Sequence, residues 1–275
     1  PVLAADKVRY VGEPVVAVLA ENRYLAEDAA EQVAIDYDPL PTVIDPEAAA
    51  QPGAPVLHEE IGSNVILSRS FSRGDVEAAL AGAPVRVAGR FRMHRKTPAA
   101  MENRAYLADY DQGRRALTLY SSTQVPGIVR DSLAEILDIP GNRLRVIAPD
   151  VGGGFGGKTP LYGEEVLVCH LARKLGRPVK WCADRLEDLT TTSQAFDEIV
   201  EAELACDGDG TILGLRAEVI GDIGAYSIYP YTAALEPVQV ISFLPGPYRV
   251  PSYHGAVKGV ATSKALTGAY RGVGR

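Results

Sequence analysis

Residues Pro149 to Pro160 read PDVGGGFGGKTP and hold five of the chain's 27 glycines. Glycine carries no Cβ, so a ligand can reach contact distance of the main chain and meet bare N–H groups. An apolar run, Leu144, Val146, Ile147 and Ala148, precedes the loop, and Glu164 and Glu165 follow it. Val166, Leu167, His170, Leu171 and Leu175 then have helical spacing. A strand, a glycine loop and a helix start make a place where backbone donors face an anion, so a negatively charged or oxo-rich ligand is expected here. Two other stretches can add donors. Gln124, in Ser122-Thr123-Gln124, offers a carboxamide that donates and accepts with no charge to desolvate; alone, it reads as a turn or capping residue. In Gly268-Ala269-Tyr270-Arg271-Gly272-Val273-Gly274-Arg275, Arg271 presents a planar fork of donors beside open backbone, which suits phosphate or oxo-anions.

The glycines also satisfy two nucleotide patterns. Gly152, Gly154 and Gly157 fit G-x-G-x-x-G, with Asp184 beyond the next expected strand (Val179 to Cys182) as a ribose acid. Gly152, Gly157, Lys158 and Thr159 fit the P-loop pattern. A run this dense in glycine satisfies almost any glycine spacing. The expected metal-binding strand is interrupted in Val219-Ile220-Gly221-Asp222, and Phe155 in mid-loop is unusual for a flexible linker.

The elements that must hold these residues read as follows. Strands are expected over 8–12, 15–20 and 33–37, with a helix capped by Asn22 between the second and third. Residues 51–83 read as a linker carrying a short helix from Asp75, and a second domain starts near Pro84. There Val85 to His94 alternates as a strand with Arg86, Arg90 and Arg92 on one side. Tyr106 to Tyr110 and Ala116 to Ser121 form a hairpin, and Pro126 opens a helix carrying Val129, Leu133 and Leu137. Phe196 to Cys206 and Thr211 to Ile220 flank Asp207-Gly208-Asp209-Gly210, a strong hairpin signal. Strands outnumber helices, so the fold class is α+β. Glu102 and Arg104 read as an ion pair at a strand edge, and His94 and His170 as structural residues.

Composition bounds the partners. At 275 residues, 47% hydrophobic and 23% charged, the chain has ample material for a core. A net charge of −7 argues against nucleic acid or anionic membrane as the main partner. No apolar run approaches a membrane span. Cys169, Cys182 and Cys206 show no metal or disulfide spacing, consistent with buried thiols in a reducing compartment such as the cytoplasm. The chain starts at Pro1, enters a strand pattern within a few residues and stops after a glycine-rich segment, which reads as an internal piece of a longer polypeptide.

GGGFGGK, the Ser-Thr-Gln before it and AYRGVGR after it resemble the molybdopterin-binding large subunits of the xanthine dehydrogenase, aldehyde oxidase and carbon monoxide dehydrogenase family. Pro1-Val2-Leu3-Ala4, Val11-Gly12-Glu13-Pro14-Val15, Tyr37-Asp38-Pro39-Leu40-Pro41 and Leu175-Gly176-Arg177-Pro178-Val179-Lys180-Trp181 fit as well, in the family's order. The resemblance implies that 1–50 is the C-terminal part of an α/β hammerhead domain and 84–275 the first part of a molybdopterin-binding domain. It implies a molybdenum-molybdopterin cofactor, with the cytosine dinucleotide form left open, and 2Fe-2S and FAD on partner subunits or domains, assembled as a dimer of heteromers. By resemblance, Gln124 hydrogen-bonds an oxo or hydroxo ligand of molybdenum. Gly154, Phe155 and Gly156 bring backbone to the metal's other oxo and the pterin, and Arg271 lines the same centre. The implied reaction hydroxylates an electron-poor carbon of a small molecule with water as the oxygen source.

Departures from the family pattern narrow this. The family's general-base glutamate lies beyond Arg275, so the isolated chain is expected to be inactive in an oxidase assay. Gly272 stands where the carbon monoxide branch has a cysteine. Thr159 and Val273, the expected substrate contacts, stand where the purine branch has a glutamate and a stacking phenylalanine. These losses argue against carbon monoxide and against xanthine, leaving an aldehyde or another N-heterocycle. A P-loop nucleotide-binding protein and a metal-free scaffold or truncated member are the rival readings.

Overall fold

In the computed structural model, which describes residues 1–232 and 234–274, the N-terminal segment holds one regular element. Helix α1 (Arg23–Glu31) starts where Asn22 accepts from the Leu25 amide at 3.1 Å. The strands expected over 8–12, 15–20 and 33–37 do not form, and α1 buries no residue. A strand is stabilised by its neighbours, and these runs find no ladder partner among the described residues. Polar contacts dock the segment on the rest of the chain. Arg9 donates to the Leu57 carbonyl (2.9 Å) and to the Tyr226 hydroxyl (3.0 Å), which in turn donates to Glu13 (2.6 Å).

The linker expected over 51–83 is corrected. After α2 (Pro46–Ala49), capped by Asp45, come strand β1 (Val65–Arg73) and helix α3 (Val76–Gly82), capped by Asp75. The irregular chain between them is fastened by buried Asn64. Its side chain donates to the Ala49 and Pro55 carbonyls (3.1 and 2.9 Å) and accepts from the Leu57 amide (3.0 Å). Strand β2 (Val85–Met93) follows as expected, its three arginines exposed and paired with Glu203, with Glu47 and Glu201, and with Asp45.

The remaining elements are β3 (Ala105–Asp111), β4 (Ala116–Ser121), α4 (Pro126–Leu137), β5 (Leu144–Ile147), α5 (Gly163–Leu175), β6 (Val179–Cys182) and α6 (Arg185–Thr191). Then come β7 (Glu198–Cys206), β8 (Ile212–Gly224), α7 (Leu235–Phe243) and β9 (Ser252–Ala261). A four-stranded sheet has the order β5-β4-β3-β6, and a five-stranded sheet the order β1-β9-β8-β7-β2. The class is α+β, as expected. Leu117 and Leu119 of β4 pack with Val129 and Leu133 of α4 and Cys169 and Ala172 of α5. Val219 and Val257 of the larger sheet pack with Val240 and Ile241 of α7.

Both sheets are mixed, and the parallel pairs matter most for function. β4 runs parallel to β5, with Tyr120 opposite Ile147. β8 runs parallel to β9, with Asp222 opposite Val260. Parallel neighbours release their following segments at the same sheet edge, a common place for ligand sites in open sheets. Gln124 and the glycine loop leave the first pair together. Residues 225–232 and 262–274 leave the second pair together.

Candidate functional site

The three stretches singled out by sequence meet. Gln124 follows β4 and precedes α4, and its amide donates to the Lys158 carbonyl at 3.0 Å. Its side-chain oxygen accepts from the Gly156 amide (2.9 Å) and the Lys158 amide (3.3 Å). Two backbone donors on one oxygen fix the orientation of the carboxamide. The NH₂ end is thereby left as a donor with no protein acceptor among the described residues. Gly154 lies so close to this side chain that a Cβ there would collide with it. Phe155 has φ +52° and its carbonyl accepts from the Arg271 amide at 3.0 Å. Arg271 has φ +45°, and its guanidinium lies 4.6 Å from the centre of the Phe155 ring. Two non-glycine residues held in left-handed conformations and bonded to each other are strain of the kind that persists at functional sites. Gly156, at φ +105°, faces the Ala269 carbonyl where a Cβ would have no room. Arg275, the last residue of the third stretch, lies outside the described residues.

The loop's frame satisfies itself. Lys158 is buried, and its ammonium donates to Glu102 at 2.7 Å. The same carboxylate oxygen accepts from the Gly152 amide at 2.9 Å. Thr159 donates its hydroxyl to the Gly156 carbonyl (2.6 Å), and Tyr162 donates to the Gly157 carbonyl. These contacts dispose of both nucleotide patterns. A P-loop needs its lysine and hydroxyl free for phosphate and magnesium, and here both are bound inside the loop. Asp184 caps α6, accepting from the Glu187 amide at 2.7 Å. The helix start is not open to an anion either, because Glu165 reaches back to the Tyr162 amide (3.0 Å). Glu102 and Arg104 are not partners. Arg104 is fully buried between Asp188 (3.1 Å) and Glu164 (3.3 Å), stacked on the Tyr162 ring. His94 and His170, expected as structural residues, are exposed.

Behind the loop lies a cavity of about 220 Å³, walled by Ile228, Leu235, Ala269, Val273 and Thr159. The two expected substrate contacts, Thr159 and Val273, therefore share one pocket. Sequence reasoning missed its polar members. Glu236, 3% exposed on α7, and Thr267, 1% exposed after β9, also line it. Glu236 Oε1 and Thr267 Oγ1 have no hydrogen-bond partner among the described residues. The other Glu236 oxygen accepts from the Phe196 amide at 3.0 Å. Burial pushes the Glu236 carboxyl up to about 7, against the opposing pull of the Phe196 and Gly274 amides and Arg95. Glu198 of β7, also without a hydrogen-bond partner among the described residues, is pushed up to about 8 by burial and by Glu236. A buried carboxylate thus lines the pocket that Thr159 also lines. A lone Glu-Pro in a stretch with no strand or helix expectation gave no signal of this.

Comparison with known proteins agrees with the geometry. The molybdopterin cofactor-binding domain family matches residues 57–275, and the a/b hammerhead domain of aldehyde oxidase and xanthine dehydrogenase matches residues 1–41. The nicotine 6-hydroxylase large subunit of Paenarthrobacter nicotinovorans is 40% identical over the whole chain, which spans 34% of that protein. The carbon monoxide dehydrogenase large chain of Hydrogenophaga pseudoflava is 38% identical over 98% of the chain and 35% of its own length. The crystal structure of quinoline 2-oxidoreductase from Pseudomonas putida 86 superposes with a TM-score of 0.95 at 40% identity, covering all of this chain and 35% of that one. The chain spans about a third of the length of these relatives. With its glycine loop, glutamine and arginine drawn together and the cofactor-binding family matched over residues 57–275, the chain belongs to the molybdopterin cofactor-binding family of the molybdenum hydroxylase large subunits.

Proposed function

We propose that this chain is part of the large subunit of a molybdenum hydroxylase that oxidises an aldehyde or an N-heterocycle. The observation that supports this most is the free carboxamide donor of Gln124 beside the strained Phe155–Arg271 pair. A neutral donor and a cationic donor over glycine backbone suit an anionic, oxygen-bearing group, and the space that Gly154 and Gly156 keep clear suits a cofactor lying against the loop. Gln124, Gly154, Phe155, Gly156 and Arg271 would hold molybdenum-molybdopterin. When bound, that group supplies two-electron oxidation of carbon with water as the oxygen source.

The chain's own residues then have separable tasks. Gln124 donates to an oxygen on the group, and its fixed orientation makes that donor preorganised. Arg271 offsets negative charge and is kept in place by the Phe155 ring. Thr159 and Val273 face the substrate, and the apolar walls exclude water from it. Gly272, lacking a thiol, points away from carbon monoxide as substrate. Electrons would leave through 2Fe-2S and FAD partner subunits in a cytoplasmic dimer of heteromers. No helix among the described residues is long and apolar enough to cross a membrane.

The test is expression of the full-length gene with its neighbouring iron–sulfur and flavin genes. Metal and pterin analysis should find molybdenum and molybdopterin, and a panel of aldehydes and N-heterocycles should include a substrate. A full-length complex from molybdenum-replete cells that carries neither metal nor pterin would refute the reading.

A further inference from the structure

The cavity behind the glycine loop combines two features that conflict unless a ligand resolves them. Its walls are apolar, yet two nearly fully buried polar atoms, Glu236 Oε1 and Thr267 Oγ1, have no hydrogen-bond partner among the described residues. A buried polar group left unpaired is destabilising, and more so when charged. The carboxyl is held from behind by the Phe196 amide, so it cannot swing away to water without breaking that bond. Glu198, whose carboxyl Glu236 raises, supplies no hydrogen bond among the described residues, and Arg95 is held in ion pairs with Asp197 (3.1 Å) and Asp222 (3.2 Å). The group best able to satisfy both atoms is a donor that also carries positive charge.

Resting on the proposed hydroxylase reading and naming its substrate class, we propose that Glu236 is a specificity-determining residue. With Thr267 beside it, Glu236 pairs with a protonated ring nitrogen, so that the pocket selects cationic N-heterocycles over neutral rings of the same shape. Ile228, Leu235, Ala269 and Val273 enclose the carbon skeleton. In the empty pocket the carboxyl reduces its desolvation cost by taking up a proton. A cation entering beside it displaces that proton and leaves a charge pair in a poorly solvated site. The groups bearing on Glu236 are the Phe196 and Gly274 amides and Arg95, all of which favour its ionised form, and burial opposes them; Glu198 is the neighbouring carboxyl that Glu236 raises.

The experiment uses the intact full-length complex and two bicyclic probes of matched shape. 1,2,3,4-Tetrahydroisoquinoline is a cation through neutral pH, and isochroman replaces its NH₂⁺ by an ether oxygen. Calorimetry should show the cation binding about tenfold tighter to the wild type, the equivalent of about 1.4 kcal/mol. Glu236→Gln should abolish that preference while isochroman affinity stays the same. The cation's affinity for the wild type should also rise between about pH 6 and about pH 8, as the carboxyl ionises, with isochroman unaffected. Equal binding of both probes by the wild type, a preference that survives in Glu236→Gln, or a flat pH profile for the cation would overturn the proposal. If the variant does not assemble, the wild-type pH profile decides alone. Probe binding needs no turnover, so a metal-free complex would sink the hydroxylase reading and still leave this test readable.

Discussion

The two parallel strand pairs build opposite kinds of wall. Beyond β4 and β5, the wall made by Gln124 and residues 152–159 is cross-linked by its own groups: the carboxamide oxygen takes two amides, Glu102 takes Lys158 and Gly152, and Thr159 closes on Gly156. Beyond β8 and β9, the wall with Thr267 and Glu236 leaves polar atoms without partners among the described residues. The difference follows from what each surface meets. A wall that must present fixed donors to an anionic cofactor gains from rigidity set before binding. A wall that must discriminate among small molecules gains from groups left unsatisfied until the right one arrives.

Substitutions in the first wall should therefore cost stability and cofactor together. The largest effect is expected for Gly156→Ala, since both the positive φ and the Ala269 carbonyl oppose a Cβ. A loss of about 3 kcal/mol or more, read as a fall in Tm, should accompany loss of molybdenum. Glu102→Ala comes next. It strands a buried ammonium and frees the Gly152 amide, for a cost of about 2 kcal/mol after allowing for Glu102's own partial exposure. Lys158→Met should cost less, about 1 kcal/mol, because it leaves no buried charge behind. Equal losses in the two variants, or magnesium-dependent nucleotide binding that Lys158→Met removes, would erase the contrast between the walls.

Beneath the second wall, the sign of the effect reverses with pH. Burial and Glu236 raise the Glu198 carboxyl from its ordinary 4.5 to about 8. The stability associated with its neutral form is present in full below about 4.5 and lost as pH climbs through about 8. Glu198→Gln should therefore flatten the pH dependence. Urea titrations should find it more stable than the wild type by about 1–3 kcal/mol near pH 9, and close to it near pH 5. A difference that does not change with pH would remove Glu198 from the buried titrating cluster.

How much of this was legible in the sequence depends on whether the signal was local. The β3–β4 and β7–β8 hairpins, α4, α5 and the glycine loop all carry their own turn or periodicity signals, and all formed. β9 carried none, because SYHGAVKGVA mixes glycines with a histidine and a lysine. Its glycines are there for close approach: a Cβ at Gly255 would strike Ile241 and Tyr253, and one at Gly259 would press on Leu67. Being flanked by β8 and β1 makes it a strand, and no local pattern reports that. β1, which fell inside the expected linker, is a strand because it pairs with β9 at the sheet edge. The N-terminal strands failed in the other direction, since their alternation was clear but nothing described pairs with them. At the site, residue types were enough to mark Gln124, Phe155 and Arg271. The parallel register that brings them together, and the unpartnered Glu236, exist only in three dimensions.

The central claim, that Gln124, the Phe155–Gly156 backbone and Arg271 surround a molybdenum centre, is tested most directly by anomalous diffraction at the molybdenum edge from crystals of the full-length complex. The account predicts a single strong peak per large subunit on the open side of the glycine loop, within hydrogen-bonding reach of an oxygen bound by the Gln124 carboxamide nitrogen. A metal peak elsewhere in the subunit, or nucleotide phosphates in the loop with no metal beside Gln124, would contradict it.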